Sequence, residues 1–127
     1  MLSLILSFAA VLAVAPAPAA DPTVGPYAAD QTEFVGWLRF SNGEFQLYGD
    51  EDQILQPFSR PCLSGAASRD EMRQAVQDLA GQKVRITGRT APWSEASHHR
   101  IEHRGSDIRN DCRGAFVVMA EDIQPSK

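Results

Sequence analysis

The chain has 127 residues, of which 43% are hydrophobic and 22% are charged, and its formal net charge at pH 7 is −4. This length fits one domain that buries a core with a thin margin, and the acidic balance argues against non-specific nucleic-acid binding by the whole surface. The charge is uneven, because residues 81–113 contain seven basic and four acidic residues, whereas the remainder of the chain carries a net −7.

Residues 1–20 (MLSLILSFAAVLAVAPAPAA) are uncharged and include an apolar run from Leu4 to Val14. This run is too short to span a bilayer as a helix, and Ala17-Pro18-Ala19 fits a small-x-small cleavage site, with Ala20 as a nearby alternative. We therefore predict a signal peptide, a periplasmic or secreted protein, and no membrane anchor after cleavage; an uncleaved anchor is the alternative. Residues 21–30 are rich in Pro and Gly and are predicted to form a flexible lead-in.

Two strands joined by a tight turn are predicted next. The first is predicted at Glu33–Phe40, with Phe34, Gly36, Leu38 and Phe40 on one face and Val35, Trp37 and Arg39 on the other. The Asn42-Gly43 pair that follows is the strongest short signal for a hairpin. The return strand is predicted at Glu44–Tyr48. A third strand is weakly indicated within Ile54–Cys62, where two prolines suggest that it lies at the edge of the sheet.

The clearest element is a helix at residues 69–80. Ser68 and Glu71 have the spacing of a capping box, and Gly81 is placed to end the helix in the left-handed conformation. An apolar stripe with helical spacing lies between these signals: Met72, Ala75, Val76 and Leu79. Alternation then predicts a strand at residues 82–90.

Residues 91–113 form a long irregular region, and loops of this length are usually functional or disordered. Part of the region is predicted to form a further hairpin, with Arg100–Arg104 as a candidate strand. The last strand, Ala115–Ala120, is apolar throughout, which indicates a central or fully buried position. The predicted core consists of the inward residues of these elements: Phe34, Leu38, Phe40, Phe45, Leu47, Met72, Val76, Leu79, Val84, Ile86, Phe116 and Val118.

Five strands with one helix between the third and the fourth is the element order of the OB-fold, a small Greek-key barrel. Over residues 31–124 the chain resembles this superfamily, on the segments FVGWLRFSNGEFQLYGD and LAGQKVRITGR and on the capped helix. Among exported proteins it is most similar to the small periplasmic bacterial OB-fold proteins. The resemblance implies a mainly β fold with one short α-helix, a five-stranded OB-like Greek-key barrel, and a ligand- or stress-related binding module, although the OB-fold carries many functions.

The chain contains two cysteines, Cys62 and Cys112. In an oxidising compartment an isolated pair most simply forms one disulfide, so we predict a Cys62–Cys112 bridge. The alternative is a redox or metal-binding pair, which the absence of a Cys-x-x-Cys motif disfavours.

A metal site is the first functional hypothesis, and it rests on the segment HHRIEH. His99 and His103 are four residues apart with Glu102 beside them, so all three share a face on a helix, whereas on a strand only the two histidines do. Two imidazoles and a carboxylate suit zinc, with Asp107 or Asp111 as a fourth ligand. The alternative is a solvated loop with no cofactor, and no metalloprotease signature is present.

An anionic-ligand site is the second hypothesis. Basic side chains beside aromatic rings suit anionic glycans or single-stranded nucleic acid, although nucleic acid is not expected in an exported compartment. The basic face is predicted to include Arg109 and Arg113 of the long loop, with Tyr48 as a further stacking surface. The residues predicted to form the ligand site itself are Arg85, Arg89, Arg100, Arg104, Trp37 and Trp93. The alternative is a solvated strand face whose charge is offset by nearby carboxylates.

A protein-interaction surface is the third hypothesis. The acidic run Asp50–Asp52 and the basic C-terminal half of the chain form patches of opposite charge. Such asymmetry favours electrostatic docking with a partner protein, or head-to-tail self-association. The alternative is a monomer with nothing bound.

No catalytic motif is evident. A nucleophile, base and orienting acid can be written from Ser94, His98 and Asp107, but no nucleophile elbow supports them. The prediction is therefore an exported, non-catalytic binding module, a monomer or weak oligomer, that interacts with a protein or an anionic ligand. The alternative is a periplasmic metal-binding protein that uses the His98–His103 loop.

Overall fold

The computed structural model describes residues 22–56, 59–94 and 99–127, so the predicted signal peptide at 1–20 and the candidate His98 lie outside the described residues. In chain order the elements are β1 (Thr23–Val24), β2 (Tyr27–Ala28), β3 (Glu33–Ser41), β4 (Glu44–Tyr48), a 3-10 helix (Glu51–Leu55), β5 (Leu63–Ala66), α1 (Arg69–Asp78), β6 (Lys83–Pro92), β7 (Ile101–His103), β8 (Ser106–Ile108) and β9 (Phe116–Pro125).

Five of the strands close into a barrel in the order β3-β4-β5-β9-β6, and β6 returns to pair with β3. The neighbouring strands are antiparallel except for β5 and β9, which run parallel. Two separate two-stranded hairpins, β1–β2 and β7–β8, lie outside the barrel. The prediction of a mainly β chain with one α-helix and a five-stranded barrel is confirmed, and the strand order is compatible with an OB-like fold.

The β3–β4 hairpin forms where the sequence predicts it. Ser41 pairs with Glu44 across a two-residue turn, in which Asn42 has φ 53° and Gly43 has φ 83°. Positive φ at both central residues is what a type I′ turn requires, and its twist matches that of the flanking strands. The turn therefore fixes the register of β3 against β4, with Phe40 opposite Phe45.

The third barrel strand lies later in the chain than its prediction. The 3-10 helix occupies the start of the predicted Ile54–Cys62 strand, and the strand itself begins at Leu63. It is not an edge strand, because it pairs with β4 on one side and β9 on the other. A Cβ atom on Gly65 would lie 2.5 Å from the Phe45 ring, so the absence of a side chain lets that ring pack across the strand.

Helix α1 begins at its predicted cap, where the Ser68 Oγ accepts a hydrogen bond from the Glu71 N–H at 3.3 Å. The Glu71 carboxylate does not complete the capping box; it accepts the Ile123 N–H at 2.8 Å and ties the helix to β9. Met72 is buried, but the placement of Val76 in the core is wrong, since its side chain is 48% exposed. The buried stripe of the helix, Met72 and Ala75, is therefore narrower than the apolar stripe in the sequence.

Residues 22–30 do not behave as the flexible lead-in that their composition predicts. They form the β1–β2 hairpin and contribute Val24 and Tyr27 to the core. The Tyr27 hydroxyl donates a hydrogen bond to the Val35 carbonyl at 2.8 Å. Gly36 permits this approach, because a Cβ there would lie 2.3 Å from the hydroxyl oxygen. The segment therefore packs against the barrel.

The remaining core predictions hold. Most of the predicted residues are buried, and Phe40 and Leu79 are partly buried against them. Strand β9 pairs with both β5 and β6, and its successive residues Phe116, Val117 and Val118 are all buried, which matches the central or fully buried position predicted for the AFVVMA segment. In the described part of the chain, no helix is both long enough and apolar enough to cross a membrane.

Candidate functional site

The outer face of β4 is covered, and this determines where an open site lies. Alternation predicts that Glu44 and Gln46 face solvent, yet all five residues of β4 are buried. Segment 109–112 crosses this face, and the two Glu44 carboxylate oxygens accept the Arg109 N–H at 2.7 Å and the Asp111 N–H at 3.2 Å. Gln46 Nε2 donates to the same carboxylate at 3.1 Å. Buried polar groups on this face are therefore paired.

The predicted disulfide is present and holds the same segment. Cys62 and Cys112 are both buried and bonded, with their Cα atoms 5.3 Å apart. Beside the bridge, the Ser64 Oγ accepts the Cys112 N–H at 3.0 Å. The bridge and these hydrogen bonds together fix segment 109–112 across β4 and β5.

A cleft of about 450 Å³ opens next to this covered face. Its walls are the β3–β4 turn, the first two turns of α1, and the chain around β8. Its lining includes three arginines, three apolar side chains and one partly exposed acid: Arg69, Arg73, Arg109, Phe40, Met72, Val76 and Asp107. We call this the arginine cleft. Its volume lies in the range of small-ligand sites.

The three arginines come from two distant parts of the chain. Arg69 and Arg73 are four residues apart on α1, so they share one face of the helix. Arg109 joins them because its backbone N–H is held by Glu44. The ion pairs found across residues 22–56, 59–94 and 99–127 are Arg85–Glu33 and Arg100–Asp107. None of the three cleft arginines therefore has a carboxylate partner within the described chain.

The carboxylates at the arginine cleft do little to offset this positive charge. Asp107 pairs with Arg100, at 3.6 Å between Nη1 and Oδ2. Glu44 is wholly buried, and desolvation raises the pKa of its carboxyl group, against the opposing effect of the hydrogen bonds from Ser64, Arg109 and Gln46. The exposed surface of the arginine cleft is therefore cationic.

The floor of the arginine cleft is apolar and continues into a second groove. Phe40 and Val76 line both, and the second groove, also of about 450 Å³, extends over Leu38 and Ile54 to the end of α1. Val76 is the large apolar side chain most exposed along this path. The combined surface has three guanidinium groups at one end and mostly hydrocarbon at the other, where Arg39 is the one charged lining residue and donates to the Ile54 carbonyl at 3.1 Å.

Of the arginines predicted for the basic face, Arg109 lines the arginine cleft, and the structure does not gather the others into one pocket. Arg85 and Arg89 project from the outer face of β6, where Arg85 pairs with Glu33 at 3.3 Å. Arg100 is held by Asp107 beside the β7–β8 hairpin. Arg104 lies at the turn of that hairpin, and its carbonyl accepts the Arg69 N–H at 3.1 Å, which docks the hairpin on the start of α1.

The two predicted aromatic residues occupy separate surfaces. Trp37 lies on the outer face of β3, and the Lys83 ammonium group lies 5.2 Å from its ring centroid. Trp93 packs against the core and lines a different cleft, together with Arg113. Trp37 is thus a neighbour of Arg85 through the β3–β6 pairing, whereas Trp93 is not.

The predicted metal ligands do not converge in the described chain. His103 Nε2 lies 2.8 Å from the Ala120 carbonyl oxygen and donates to it, so this nitrogen is occupied. Glu102 lies on the neighbouring position of β7 and faces the other way along the strand. Within residues 22–56, 59–94 and 99–127 no three His, Cys, Asp or Glu side chains are arranged to hold a metal ion. Zinc binding by His99, Glu102 and His103 stays a prediction.

Sequence reasoning did not identify Arg69 and Arg73, although a signal was available. Arg69, Arg73 and Val76 have the i, i+4, i+7 spacing of one helix stripe. This stripe was missed because Val76 was assigned to the core. No local pattern connects it to Arg109, because the link runs through the buried Glu44.

Comparisons with protein-family models, with curated proteins and with solved structures each found no match for this chain.

Proposed function

We propose that the protein is a non-catalytic binding module that receives an anionic ligand in the arginine cleft. One observation carries this proposal: Arg69, Arg73 and Arg109 line a single cleft, and none of them has a carboxylate partner among the described residues. Clustered like charges repel one another, so their convergence on an open cleft favours a bound anion. A guanidinium group offers a planar set of donors that matches carboxylate and phosphate oxygens.

An OB-like assignment supports the location of this site. OB-folds bind ligands on the face of their second and third strands and on the flanking loops. In this chain those strands correspond to β4 and β5, whose outer face is covered by segment 109–112. The flanking loops remain open, and the arginine cleft lies between two of them: the β3–β4 turn and the chain around β8, which belongs to the connection between the last two barrel strands.

The disulfide and the predicted signal peptide support a role outside the cytosol. Disulfides persist in oxidising compartments and are rare in the cytosol. The buried Cys62–Cys112 bridge, together with the predicted signal peptide, favours periplasmic or secreted placement. Ligands with several carboxylate or phosphate groups, including acidic segments of partner proteins, suit a cationic cleft in such a compartment.

The test measures binding of two labelled probes, a short polyglutamate peptide and a short polyphosphate, to the oxidised protein at low ionic strength. Arg69→Gln with Arg73→Gln should weaken binding at least tenfold, because each lost charge-assisted hydrogen bond contributes about 1.5–3 kcal/mol. Arg85→Gln with Arg89→Gln removes the same charge from β6 and is the matched control. The two probes distinguish carboxylate from phosphate ligands.

The alternative outcome is equally specific. Loss of binding in the β6 double variant with retention in the cleft double variant would assign the ligand to the face first predicted from the sequence. Retention in both variants would contradict an arginine-dependent site of either kind.

A further inference from the structure

The surface of this chain also presents a segment whose charge and apolar groups complement the arginine cleft. The 3-10 helix Glu51–Leu55 follows Asp50, which caps it by accepting the Asp52 N–H at 3.1 Å. Glu51 and Asp52 are exposed and form no ion pair with the described residues. Leu55, at the other end, is 79% exposed. We call Glu51–Leu55 the acidic helix.

The acidic helix and the exposed stripe of α1 have the same order of groups. A 3-10 helix has three residues per turn, so Asp52 and Leu55 lie on one face about 6 Å apart along the axis. On α1, Arg73 and Val76 lie on one face about 4.5 Å apart along the axis. In each segment the charged residue comes before the apolar one: Asp52 before Leu55, and Arg73 before Val76. Laid side by side in the same direction, they pair a carboxylate with a guanidinium and a leucine with a valine.

A contact between the acidic helix and the exposed stripe of α1 would cover two exposed apolar side chains, Leu55 and Val76. In the described chain the exposed large hydrophobic residues are Val35, Leu55 and Val76, and two of the three belong to the matching stripes. Burying apolar surface favours association. A contact that covers Leu55 and Val76 together also neutralises unpaired charge of both signs.

The acidic helix and the exposed stripe of α1 adjoin the same groove, each through one residue. Ile54 of the acidic helix and Val76 of α1 line it together with Phe40. Because the two complementary surfaces lie on one side of the molecule, two copies related by a two-fold axis can form the contact twice, which is the isologous arrangement of most dimers.

We propose that the occupant is a second copy of this chain. In the resulting dimer the acidic helix of each copy lies along the Arg73–Val76 stripe of the other. The inference goes beyond the anionic-ligand function, and it implies that a free anion and the second copy compete for Arg73.

The experiment is sedimentation velocity of the oxidised protein from low to high micromolar concentration, at low ionic strength and at about 0.5 M salt, where exposed charges are strongly screened. The wild type should shift from monomer to dimer with rising concentration, and salt should weaken the dimer. Assembly should stop at the dimer, since the contact closes on itself. A wild type that stays monomeric throughout would overturn the proposal, as would growth into open-ended oligomers.

Charge exchange identifies the surfaces involved. Asp52→Lys and Arg73→Glu each place like charges in both contacts of a homodimer, so each variant alone should be monomeric. A mixture of the two should form a heterodimer, because one contact is native and the other has its charges exchanged. Dimerisation of either variant alone, or failure of the mixture to associate, would overturn the proposal. Asp50 is left unchanged because it caps the acidic helix, and far-UV circular dichroism checks that both variants are folded.

The same variants separate this proposal from the anionic-ligand function. Asp52→Lys leaves the arginine cleft intact, so it should lose the dimer and keep probe binding. Arg73→Glu should lose both. If Asp52→Lys dimerises normally while Arg73→Glu loses probe binding, the dimer surface is wrong and the ligand site stands. If Arg73→Glu binds the probes as the wild type does while the exchanged mixture dimerises, the ligand site is wrong and the dimer stands.

Discussion

The backbone N–H of Arg109 donates a 2.7 Å hydrogen bond to the buried carboxylate of Glu44, which precedes it by 65 residues. This contact joins the start of β4 to the segment that crosses it, and it places the Arg109 side chain at the arginine cleft. A buried acid thus positions an exposed base. The relationship explains both the full burial of β4 and the location of the open site.

Glu44→Ala should destabilise the protein by about 2 kcal/mol or more, because the Arg109 and Asp111 N–H groups lose their acceptor and unpaired buried donors cost about 1–3 kcal/mol each. Urea unfolding measures the difference. Glu51→Ala, at an exposed position, is the control and should change the free energy of unfolding by less than about 0.5 kcal/mol. Equal effects of the two substitutions would show that the Glu44 contacts do not stabilise the fold.

The pH dependence of stability should carry the signature of Glu44. Desolvation raises the pKa of its carboxyl group in the folded state, so the folded protein binds this proton more tightly than the unfolded chain does. The stabilisation is fully present below the unfolded pKa and is lost as the pH rises through the folded pKa. The test is urea unfolding of the wild type and of Glu44→Gln at about pH 4 and about pH 7. As the pH rises from the first value to the second, the wild type should lose stability relative to the variant. A relative gain would contradict the raised pKa.

The disulfide should contribute about 4 kcal/mol, since it closes a loop with a sequence separation of 50 residues. Denaturant unfolding of Cys62→Ala with Cys112→Ala tests this, and reduction of the wild type is a control that leaves the sequence unchanged. Both should lower the free energy of unfolding by similar amounts. Two titratable thiols in the unreduced protein would contradict the bridge itself.

Two neighbouring residues of α1 should differ sharply in their effect on stability. Met72→Ala should cost about 2–5 kcal/mol because Met72 is buried in the core, whereas Val76→Ala should cost less than about 1 kcal/mol because Val76 is half exposed. Urea unfolding of both variants gives the comparison. If Val76→Ala greatly lowered the free energy of unfolding, Val76 would be a core residue, as the apolar stripe in the sequence predicts.

The elements predicted best are those specified by local signals. The Asn42-Gly43 turn and the Ser68 cap each act within a few residues, and both form as predicted. Strand β5 was misplaced because Leu63–Ala66 consists largely of small residues with no β-branched side chain, and it is a strand because β4 and β9 pair with it on both sides. Tertiary pairing here overrides a weak local preference.

The candidate site was harder to predict because its parts meet only in the folded chain. The alternating pattern of β4 predicts that Glu44 is exposed. Its burial depends on a segment 65 residues later in the chain. From the sequence alone, Arg69 and Arg73 are indistinguishable from an ordinary solvated helix face. Only the folded structure places Arg109 beside them. The predicted Arg85 has a local explanation instead, since Glu33 on the adjacent strand pairs with it.

The most direct test of the anionic-ligand proposal is a titration of the arginine side-chain Nε–H resonances by NMR with the short polyglutamate probe. The account predicts saturable shifts at Arg69, Arg73 and Arg109, with Arg85 and Arg89 unmoved. Saturable shifts confined to Arg85 and Arg89, or no saturable shift at any arginine, would contradict it.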